Sequence, residues 1–456
     1  MKIRIMESTT VHPAQATPNK TLWCSNLDVV ASRMHLSTVY FYKSNNGGSD
    51  FFDTGVLKES LSRVLVPFYP VAGRLGWDED GRIEVKCNGE GVLFIEAETS
   101  CEIDDFVDFN APTSQLKLLV PSVDYSSMDI SSYPLLLLQV TFFKCGGVCL
   151  GVGFHRTLVD GTAALHFINT WSDMNRGLAV TAPPVFDHDL LRARVPPTPS
   201  FHHNEFKHSP SIYTPKQTKQ LHSTPLSTSI AILKITPDQL KTLKANAGSN
   251  NYSSYEVLAA HIWRCACQAR GLPDDEVTSV FIPVDGRSRL NPPLPRGYSG
   301  NAICKARLSV LAREIQSGPL IETVKRIRQT IKRMDDDYLR SVIDYLEVQK
   351  DLNVVRVTHG SNFKYPNLHV VSWARLPIYD ADFGWGRPVF MGPASIYFEG
   401  AAFILPSPIN GGSLSLIIGL ESEHIKLFED YFYDYNPMEF PVQNGRQAVQ
   451  FVEVKY

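Results

Sequence analysis

The residues best suited to do chemistry lie in one short polar segment, His-Arg-Thr-Leu-Val-Asp-Gly at positions 155–161. An imidazole such as that of His155 exchanges protons near neutral pH, so it could serve as a general base. The guanidinium of Arg156 keeps its charge in proteins, so it could hold an anion but could not accept a proton. Asp160 could cap a helix or pair with a cation. The segment therefore predicts either proton transfer or anion binding.

Two predicted secondary-structure elements hold this polar segment. Apolar, β-favouring runs on either side of Gly146-Gly147 indicate an antiparallel hairpin, because glycine permits the positive φ angles of a tight turn. After Gly161, apolar residues recur at helical spacing at Leu165, Ile168 and Trp171. The segment therefore joins a buried strand to a helix. If the strand stays extended through it, His155 and Arg156 point to opposite faces, since side chains alternate along a strand.

Length and composition limit the class of protein. With 456 residues, the chain is predicted to form two domains of roughly 200 residues each. Its apolar content of 43%, charged content of 20% and net charge of -3 are typical of a globular protein without a basic surface for nucleic acid. No run of about 18 apolar residues is present, so no membrane-spanning segment is expected. The first residues turn polar too soon for a signal peptide, and we expect a cytoplasmic protein.

A proline-rich stretch divides the chain. Residues 183–225 carry paired prolines and many Ser and Thr, which is typical of a linker. The stretch also holds five histidines, namely His188, His202, His203, His208 and His222. Their irregular spacing indicates a solvated loop rather than a metal site. We therefore predict an N-terminal domain over 1–182, a crossover linker over 183–225 and a C-terminal domain over 226–456, with no bound metal.

Further motifs lie far apart in the chain. They are Pro70-Val71-Ala72-Gly73-Arg74-Leu75, Asp285-Gly286-Arg287-Ser288-Arg289, Pro292-Pro293-Leu294-Pro295 and Asp382-Phe383-Gly384-Trp385-Gly386. With Asp160-Gly161 and the helix that follows it, they resemble the plant BAHD acyl-CoA-dependent acyltransferases, and in particular the hydroxycinnamoyl-CoA shikimate/quinate branch. The resemblance implies an α/β fold of two similar chloramphenicol-acetyltransferase-like domains of mixed sheet and helices, with an active-site tunnel between them.

The resemblance also implies an activity. The expected reaction transfers a hydroxycinnamoyl group, which is an aromatic acyl group, from its CoA thioester to a hydroxyl of a shikimate- or quinate-like acceptor in phenylpropanoid metabolism. Acyl-CoA would be a co-substrate, and no cofactor would be bound permanently. The expected partners are small molecules, with no nucleic acid and no membrane, and the expected state is a monomer.

Individual residues receive roles from the same resemblance. The substrate-binding positions are His35, Thr38, Tyr40, Tyr255 and Arg375, and the CoA-binding positions are Ser254 and Arg289. The structural positions are Gly161, Asp382, Gly384 and Gly386. The indole N–H of Trp385 could stabilise an oxyanion. Arg375 stands in an apolar run, where a charge is costly unless paired, so a carboxylate of the ligand or of the protein is its expected partner.

One position departs from the first motif of the family, which is His-x-x-x-Asp-Gly. Counting back four residues from Asp160 reaches Arg156, and His155 stands one residue too early. Loss of a general base typically slows a reaction by about 10²–10⁴-fold.

Three hypotheses about function follow from this departure. The chain is a weakened acyltransferase, with or without His155 as a substitute base. It is a repurposed enzyme for condensation or cyclisation of a plant specialised metabolite, with Arg156 as an electrophile or anion clamp. Or it is a catalytically inactive binding form.

Overall fold

The computed structural model describes residues 1–44, 50–107, 113–126, 129–207, 227–248, 251–396, 398–408, 411–434 and 453–454. In chain order, the strands are β1 (Arg4–Val11), β2 (Lys20–Trp23), β3 (His35–Tyr42), β4 (Arg74–Trp77), β5 (Ile83–Cys87), β6 (Val92–Thr99), β7 (Leu136–Phe143), β8 (Val148–His155), β9 (Thr228–Ile235), β10 (Val277–Asp285), β11 (Ile303–Leu311), β12 (Leu368–Ser372), β13 (Phe390–Pro393), β14 (Ala401–Pro406), β15 (Leu414–Glu421) and β16 (Glu453–Val454). The mixture of sheets and helices confirms the predicted α/β class.

Each half of the chain contributes a large sheet. The first has the strand order β1-β6-β7-β8-β3-β13 and the second β11-β10-β12-β14-β15-β9-β16. Both are mixed, since β6 runs parallel to β7 in the first sheet and β12 runs parallel to β10 and β14 in the second. A small sheet of β2, β5 and β4 lies beside the first. The predicted hairpin around Gly146 is confirmed as β7 and β8.

The helices pack against these sheets. The α-helices span Asn26–Val29, Thr54–Val64, Asp104–Val107, Thr113–Leu116, Gly161–Asn175, Pro237–Asn246, Ser254–Ala269, Ala312–Gln316, Leu320–Lys332, Asp336–Glu347, Leu352–Ser361 and Ile425–Tyr433, and the 3-10 helices span Tyr69–Ala72, Lys117–Leu119, His188–Leu191 and Asn204–Phe206. Within the described ranges, no helix is both long enough and apolar enough to cross a bilayer.

The helix Gly161–Asn175 begins where the sequence predicts. Asp160 is its N-cap residue, and its Oδ1 accepts a hydrogen bond from the Ala163 N–H at 3.0 Å. This bond satisfies one of the backbone donors that the first turn of a helix leaves unpaired. The helix is therefore fixed at the end of the polar segment that carries the candidate chemistry.

Gly151, in the middle of β8, allows another chain segment to approach the strand. A Cβ atom at this position would collide with the backbone carbonyl oxygen of Leu119. Since that oxygen belongs to the main chain, rotation of a side chain could not relieve the clash. The segment around Leu119 therefore packs directly on the strand that leads to the candidate site.

The segment that follows β12 crosses back to the first half of the chain. Its strand β13 pairs with the edge strand β3, with Met391 opposite Tyr40. Apolar residues of this segment, including Trp373 and Phe383, belong to the core of the first half. The two halves are therefore joined by an exchanged strand in addition to the chain connection at 183–225.

The expectation of solvated histidines in that connection is wrong for His188 and His203. His188 is buried, and its Nδ1 lies 3.0 Å from Oδ2 of the buried Asp28. His203 is also buried, and its Nδ1 lies 3.0 Å from Oε1 of Glu205. The His188–Asp28 pair attaches the connection to the first half, and His203 Nε2, which lies 2.8 Å from Oγ of Ser341, attaches it to the second half. Composition alone does not reveal such pairing. The remaining positions of the stretch from His208 onward lie outside the described residues.

Candidate active site

A cavity lies against the first large sheet, and its empty space together with the adjoining open solvent amounts to about 490 Å³. It is enclosed by β3, by the end of β8, by the start of the helix Gly161–Asn175 and by the segment 373–391. Its polar wall residues are Thr38, Tyr40, Arg156 and Asp160. Most of the remaining wall is apolar and includes Leu36, Phe154, Leu165, Ile168, Trp373 and Met391.

Strand pairing decides which side chains reach this cavity. In the antiparallel β3–β8 pair, Leu36 lies opposite Phe154 and Thr38 opposite Val152. Opposed residues of neighbouring strands share a face, and successive residues alternate between faces. Arg156 is two residues beyond Phe154, so it continues the row of residues that faces the cavity.

Arg156 is a residue of the cavity wall. Its Nη1 donates a hydrogen bond to the carbonyl oxygen of Val159 at 2.8 Å. Burial lowers the pKa of Arg156, and the charges of Asp160 and Asp28 oppose this effect. A guanidinium nevertheless remains protonated in proteins. The group that stands where the family has a general base is thus a fixed cation.

His155 lies on the opposite face of the sheet, as strand alternation predicts. It pairs with His35 across β3 and β8, with ring centroids 5.2 Å apart, and its ring stacks on Tyr133 at 5.8 Å. The Thr157 N–H donates to its Nδ1 at 3.3 Å. Burial, followed by the charges of His35, Arg33 and Arg156, lowers the pKa of His155 well below its ordinary value. His155 is therefore a buried neutral imidazole behind the cavity wall.

We expect the His155→Phe variant to retain the turnover of the parent chain, because the His155 ring does not reach the cavity. If His155 were the base, its loss would lower the rate by about 10²–10⁴-fold. Initial rates of CoA release from p-coumaroyl-CoA would measure this. Circular dichroism of both chains would show that the variant is folded, and a loss of that size in a folded variant would contradict the placement of His155.

Asp160 is fully engaged within the protein. Arg287 of the second half donates from Nη1 to Oδ2 at 2.8 Å and from Nη2 to Oδ1 at 3.0 Å. The Ala302 N–H donates to Oδ2 at 3.0 Å, in addition to the helix cap described above. Asp160 is buried and joins the two halves. Because each of its oxygens accepts two hydrogen bonds, neither is free to take a proton from a substrate. Asp160 therefore both caps the helix and pairs with a cation, the two roles that the sequence predicts for it.

Asn301 holds the backbone beside Arg156, although no sequence motif marks it. Its Nδ2 donates to the carbonyl oxygen of Arg156 at 2.9 Å and to Oδ1 of the buried Asp28 at 2.9 Å. Asn301 lies 145 residues away from Arg156 in the chain, in a glycine-containing stretch that is typical of a turn. Only the fold reveals that it fixes the segment that carries the guanidinium.

The predicted acceptor positions on β3 divide between two faces. Thr38 and Tyr40 line the cavity, and burial raises the pKa of Tyr40 far above its ordinary value. His35 does not line it, because it is an odd number of residues away from both. Its Nδ1 lies 2.6 Å from the hydroxyl of Tyr125, and its Nε2 lies 2.8 Å from the carbonyl oxygen of Pro134. Burial lowers the pKa of His35 to about 4.

The Asp382–Gly386 motif forms a compact turn. Oδ1 of Asp382 accepts hydrogen bonds from the N–H groups of Gly384 and Gly386, and both glycines have positive φ angles of 102° and 106°. The ring of Trp385 packs against Phe52, with centroids 5.0 Å apart, and does not line the cavity. The tryptophan that does line it is Trp373, which lies outside the family motifs.

The structure shows where the predicted substrate-binding residues Arg375 and Tyr255 lie. Arg375 follows β12 instead of lying within it, and its side chain is exposed, so the premise of a buried charge that needs a partner is wrong. Tyr255 donates its hydroxyl to the carbonyl oxygen of Val370 at 2.8 Å. Neither residue lines the cavity. Their assignment to substrate binding stays a prediction.

The two CoA-side candidates occupy the second half. Ser254 is the first residue of the helix Ser254–Ala269. Arg289 donates from Nη1 to the carbonyl oxygens of Ile331 and Met334, each at 2.9 Å, at the end of the helix Leu320–Lys332. These bonds satisfy carbonyls that a helix leaves unpaired at its end, so Arg289 has a structural task as well as its predicted one.

Lys305 on β11 is a titratable residue that no sequence motif marks. Its Nζ lies 4.1 Å from the centroid of the Phe363 ring. Burial, and then the charge of Arg156, lowers its pKa to about 7.

Comparison with known proteins places these observations in context. The chain matches the Transferase family over residues 1–435. It is 54% identical over 441 residues to the shikimate O-hydroxycinnamoyltransferase of Nicotiana tabacum, covering 95% of this chain and 100% of that protein. It is 48% identical over 449 residues to hydroxycinnamoyl-CoA:5-hydroxyanthranilate N-hydroxycinnamoyltransferase HHT4 of Avena sativa, with the same coverage.

A solved structure shares the fold. Vinorine synthase superposes with a TM-score of 0.72 at 22% identity and covers 93% of this chain and 96% of its own. At this identity the likeness concerns the fold alone. It confirms the predicted architecture of two chloramphenicol-acetyltransferase-like domains.

Proposed function

The chain belongs to the BAHD transferase family of acyl-CoA-dependent acyltransferases, and we propose that it transfers a hydroxycinnamoyl group from CoA to a hydroxyl of a shikimate- or quinate-like acceptor. The transfer is slow, because Arg156 stands in place of the base. The proposal rests chiefly on the cavity, whose wall is largely apolar and carries the cationic residue Arg156. An aromatic acyl group suits the apolar part of the wall, and a thioester carbonyl suits the cation.

In the proposed reaction, Arg156 acts as an electrophile. Its guanidinium donates to the thioester carbonyl oxygen and stabilises the negative charge that develops there. The acceptor oxygen forms a bond to the carbonyl carbon while its proton passes to water. The tetrahedral intermediate then collapses, the carbon–sulfur bond breaks, and CoA leaves as a thiolate that takes up a proton.

The slow step in this scheme is the loss of the hydroxyl proton. The polar side chains of the cavity wall are the hydroxyls of Thr38 and Tyr40, the guanidinium of Arg156 and the fully engaged carboxylate of Asp160. None of these is a proton acceptor near pH 7. Incubation with p-coumaroyl-CoA and shikimate or quinate, followed by mass spectrometry, tests the proposal. Absence of ester from a folded chain that binds the thioester would contradict it.

We expect an amine acceptor to react faster than a hydroxyl acceptor of the same shape. A neutral arylamine attacks a carbonyl with a free lone pair and loses its proton afterwards, whereas a hydroxyl needs a base during attack. The pair 3-aminobenzoate and 3-hydroxybenzoate differs only in the nucleophile. Amide should form at a higher initial rate than ester, and the Arg156→His variant should lower the amide-to-ester ratio by about 10²–10⁴-fold. Equal ratios in both chains would contradict this expectation.

A second candidate function is a condensation or cyclisation in which Arg156 clamps an anionic metabolite, or a binding form without turnover. The observation that favours this candidate is the guanidinium itself, which makes no ion pair among the described residues. The two functions differ in a direct way, since CoA release requires a thioester and cyclisation of a bound metabolite does not.

A further inference from the structure

The guanidinium of Arg156 forms no ion pair within the described part of the chain. Its side chain hydrogen-bonds the Val159 carbonyl oxygen and makes no ion pair there. A guanidinium cannot relieve the cost of burial by losing its proton, so a charge held beside apolar walls favours an anionic partner. The structure thus offers a cation whose counterion is expected to be a ligand.

The two carboxylates whose charges act on Arg156 belong to Asp160 and Asp28, and both already accept hydrogen bonds from other groups. Asp160 accepts from both terminal nitrogens of Arg287. Asp28 accepts from the backbone N–H of Ser25 at 2.8 Å and, through its other oxygen, from the Asn301 N–H at 2.8 Å. Because these bonds hold both carboxylates in place, neither can turn to meet Arg156 without leaving other buried donors unpaired.

The start of the helix Gly161–Asn175 adds to the positive character of the cavity wall. Gly161 lines the cavity, and a Cβ added there would meet nothing within 4 Å, so a ligand has room beside it. The other wall residues are mostly apolar, among them Phe154, Ile168 and Trp373, with the hydroxyls of Thr38 and Tyr40. The cavity therefore combines a cationic residue with a largely apolar wall.

We propose that this cavity binds the free carboxylate of a flat aromatic acid, of which a hydroxycinnamate anion is the simplest example, with Arg156 as its counterion. A carboxylate presents two oxygens in the plane that a guanidinium fork recognises. The aromatic body lies along the apolar wall. The inference uses the same cavity as the proposed acyl transfer but does not require turnover. An enzyme that releases free aromatic acids from esters or thioesters would supply this ligand.

Isothermal titration of the full chain with p-coumarate and with its methyl ester tests the proposal. The two ligands have the same aromatic body, but the ester has no charge. In the parent chain the anion should bind about 10- to 100-fold more tightly than the ester, as expected of one charge-assisted hydrogen-bonded pair. The Arg156→Gln variant should lose this preference while keeping its affinity for the ester.

The controls separate this site from other arginines and from misfolding. Arg63→Gln removes an exposed arginine that pairs with Glu59 on the surface, and it should leave both affinities unchanged. Circular dichroism and the affinity for the ester report whether Arg156→Gln is folded. Equal binding of anion and ester by the parent chain, no binding of either, or loss of the preference in Arg375→Gln instead of Arg156→Gln would each overturn the proposal. Tight anion binding without acyl transfer would support it while contradicting the proposed function.

Discussion

Replacing Arg156 with histidine is expected to raise the rate of ester formation from p-coumaroyl-CoA and shikimate or quinate by about 10²–10⁴-fold. Residue 156 continues the row of β3 and β8 side chains that faces the cavity, and the amide of Asn301 holds its backbone at 2.9 Å. An imidazole placed there would reach the acceptor hydroxyl and take its proton during attack. Initial rates of ester formation, measured for both chains under identical conditions, provide the test.

A pH profile and a matched variant identify the cause of such a gain. The rate of Arg156→His should rise with pH through the pKa of the new imidazole, because only the neutral ring accepts a proton. Arg156→Gln removes the cation without adding a base, so it should show neither the gain nor this rise. An equal gain in Arg156→Gln would mean that the cation obstructs the reaction. No gain in a folded Arg156→His chain that binds the thioester would contradict an acyltransferase site that lacks only its base.

The second large effect is expected from Asp160→Asn, which should lower the free energy of unfolding by about 3–5 kcal/mol. The variant leaves the guanidinium of Arg287 without its bidentate partner. The Arg287 side chain is only 14% exposed, so water cannot readily replace that partner. Its remaining carboxylate contact is Oδ1 of Asp285 at 3.3 Å from Nη1. The loss is large because a charge that stays buried without its partner keeps the cost of desolvation. Urea unfolding followed by circular dichroism would measure the difference.

An exposed ion pair serves as the control for this loss of unfolding free energy. Arg192 and Asp189 form an ion pair with side chains 54% and 64% exposed, so Asp189→Asn should change the stability by less than about 1 kcal/mol. In a double-mutant cycle, Arg287→Met should recover part of the loss caused by Asp160→Asn, because it removes the unpaired charge. If Asp160→Asn and Asp189→Asn had similar effects, Asp160 would not be the residue that joins the two halves.

The alternation of side chains along a strand was the most informative pattern in the sequence. It placed His155 and Arg156 on opposite faces, and the structure confirms this, with Arg156 in the cavity wall and His155 stacked on Tyr133. The same rule, applied to β3, would have separated His35 from Thr38 and Tyr40. His35 was grouped with them through the family resemblance, which does not take into account which face of the strand each residue occupies.

The sequence alone determined the local features of this protein, namely the β7–β8 hairpin, the helix after Asp160, the cap on that helix and the fixed charge at position 156. These follow from the types and spacing of residues that are close in the chain, because turns, caps and alternation depend on neighbours. The family motifs likewise sufficed for the fold class.

Only the tertiary structure decided which distant groups meet at the cavity. Arg287 reaches Asp160 across 127 residues, and Asn301 reaches the backbone of Arg156 across 145. Trp373 enters the cavity wall because the segment that carries it returns to the first sheet, while Trp385 packs against Phe52. No local pattern encodes these contacts, since each depends on how the two sheets and the returning strand pack together. The same packing leaves Arg156 in the wall of a cavity, without an ion-pair partner among the carboxylates of the described chain.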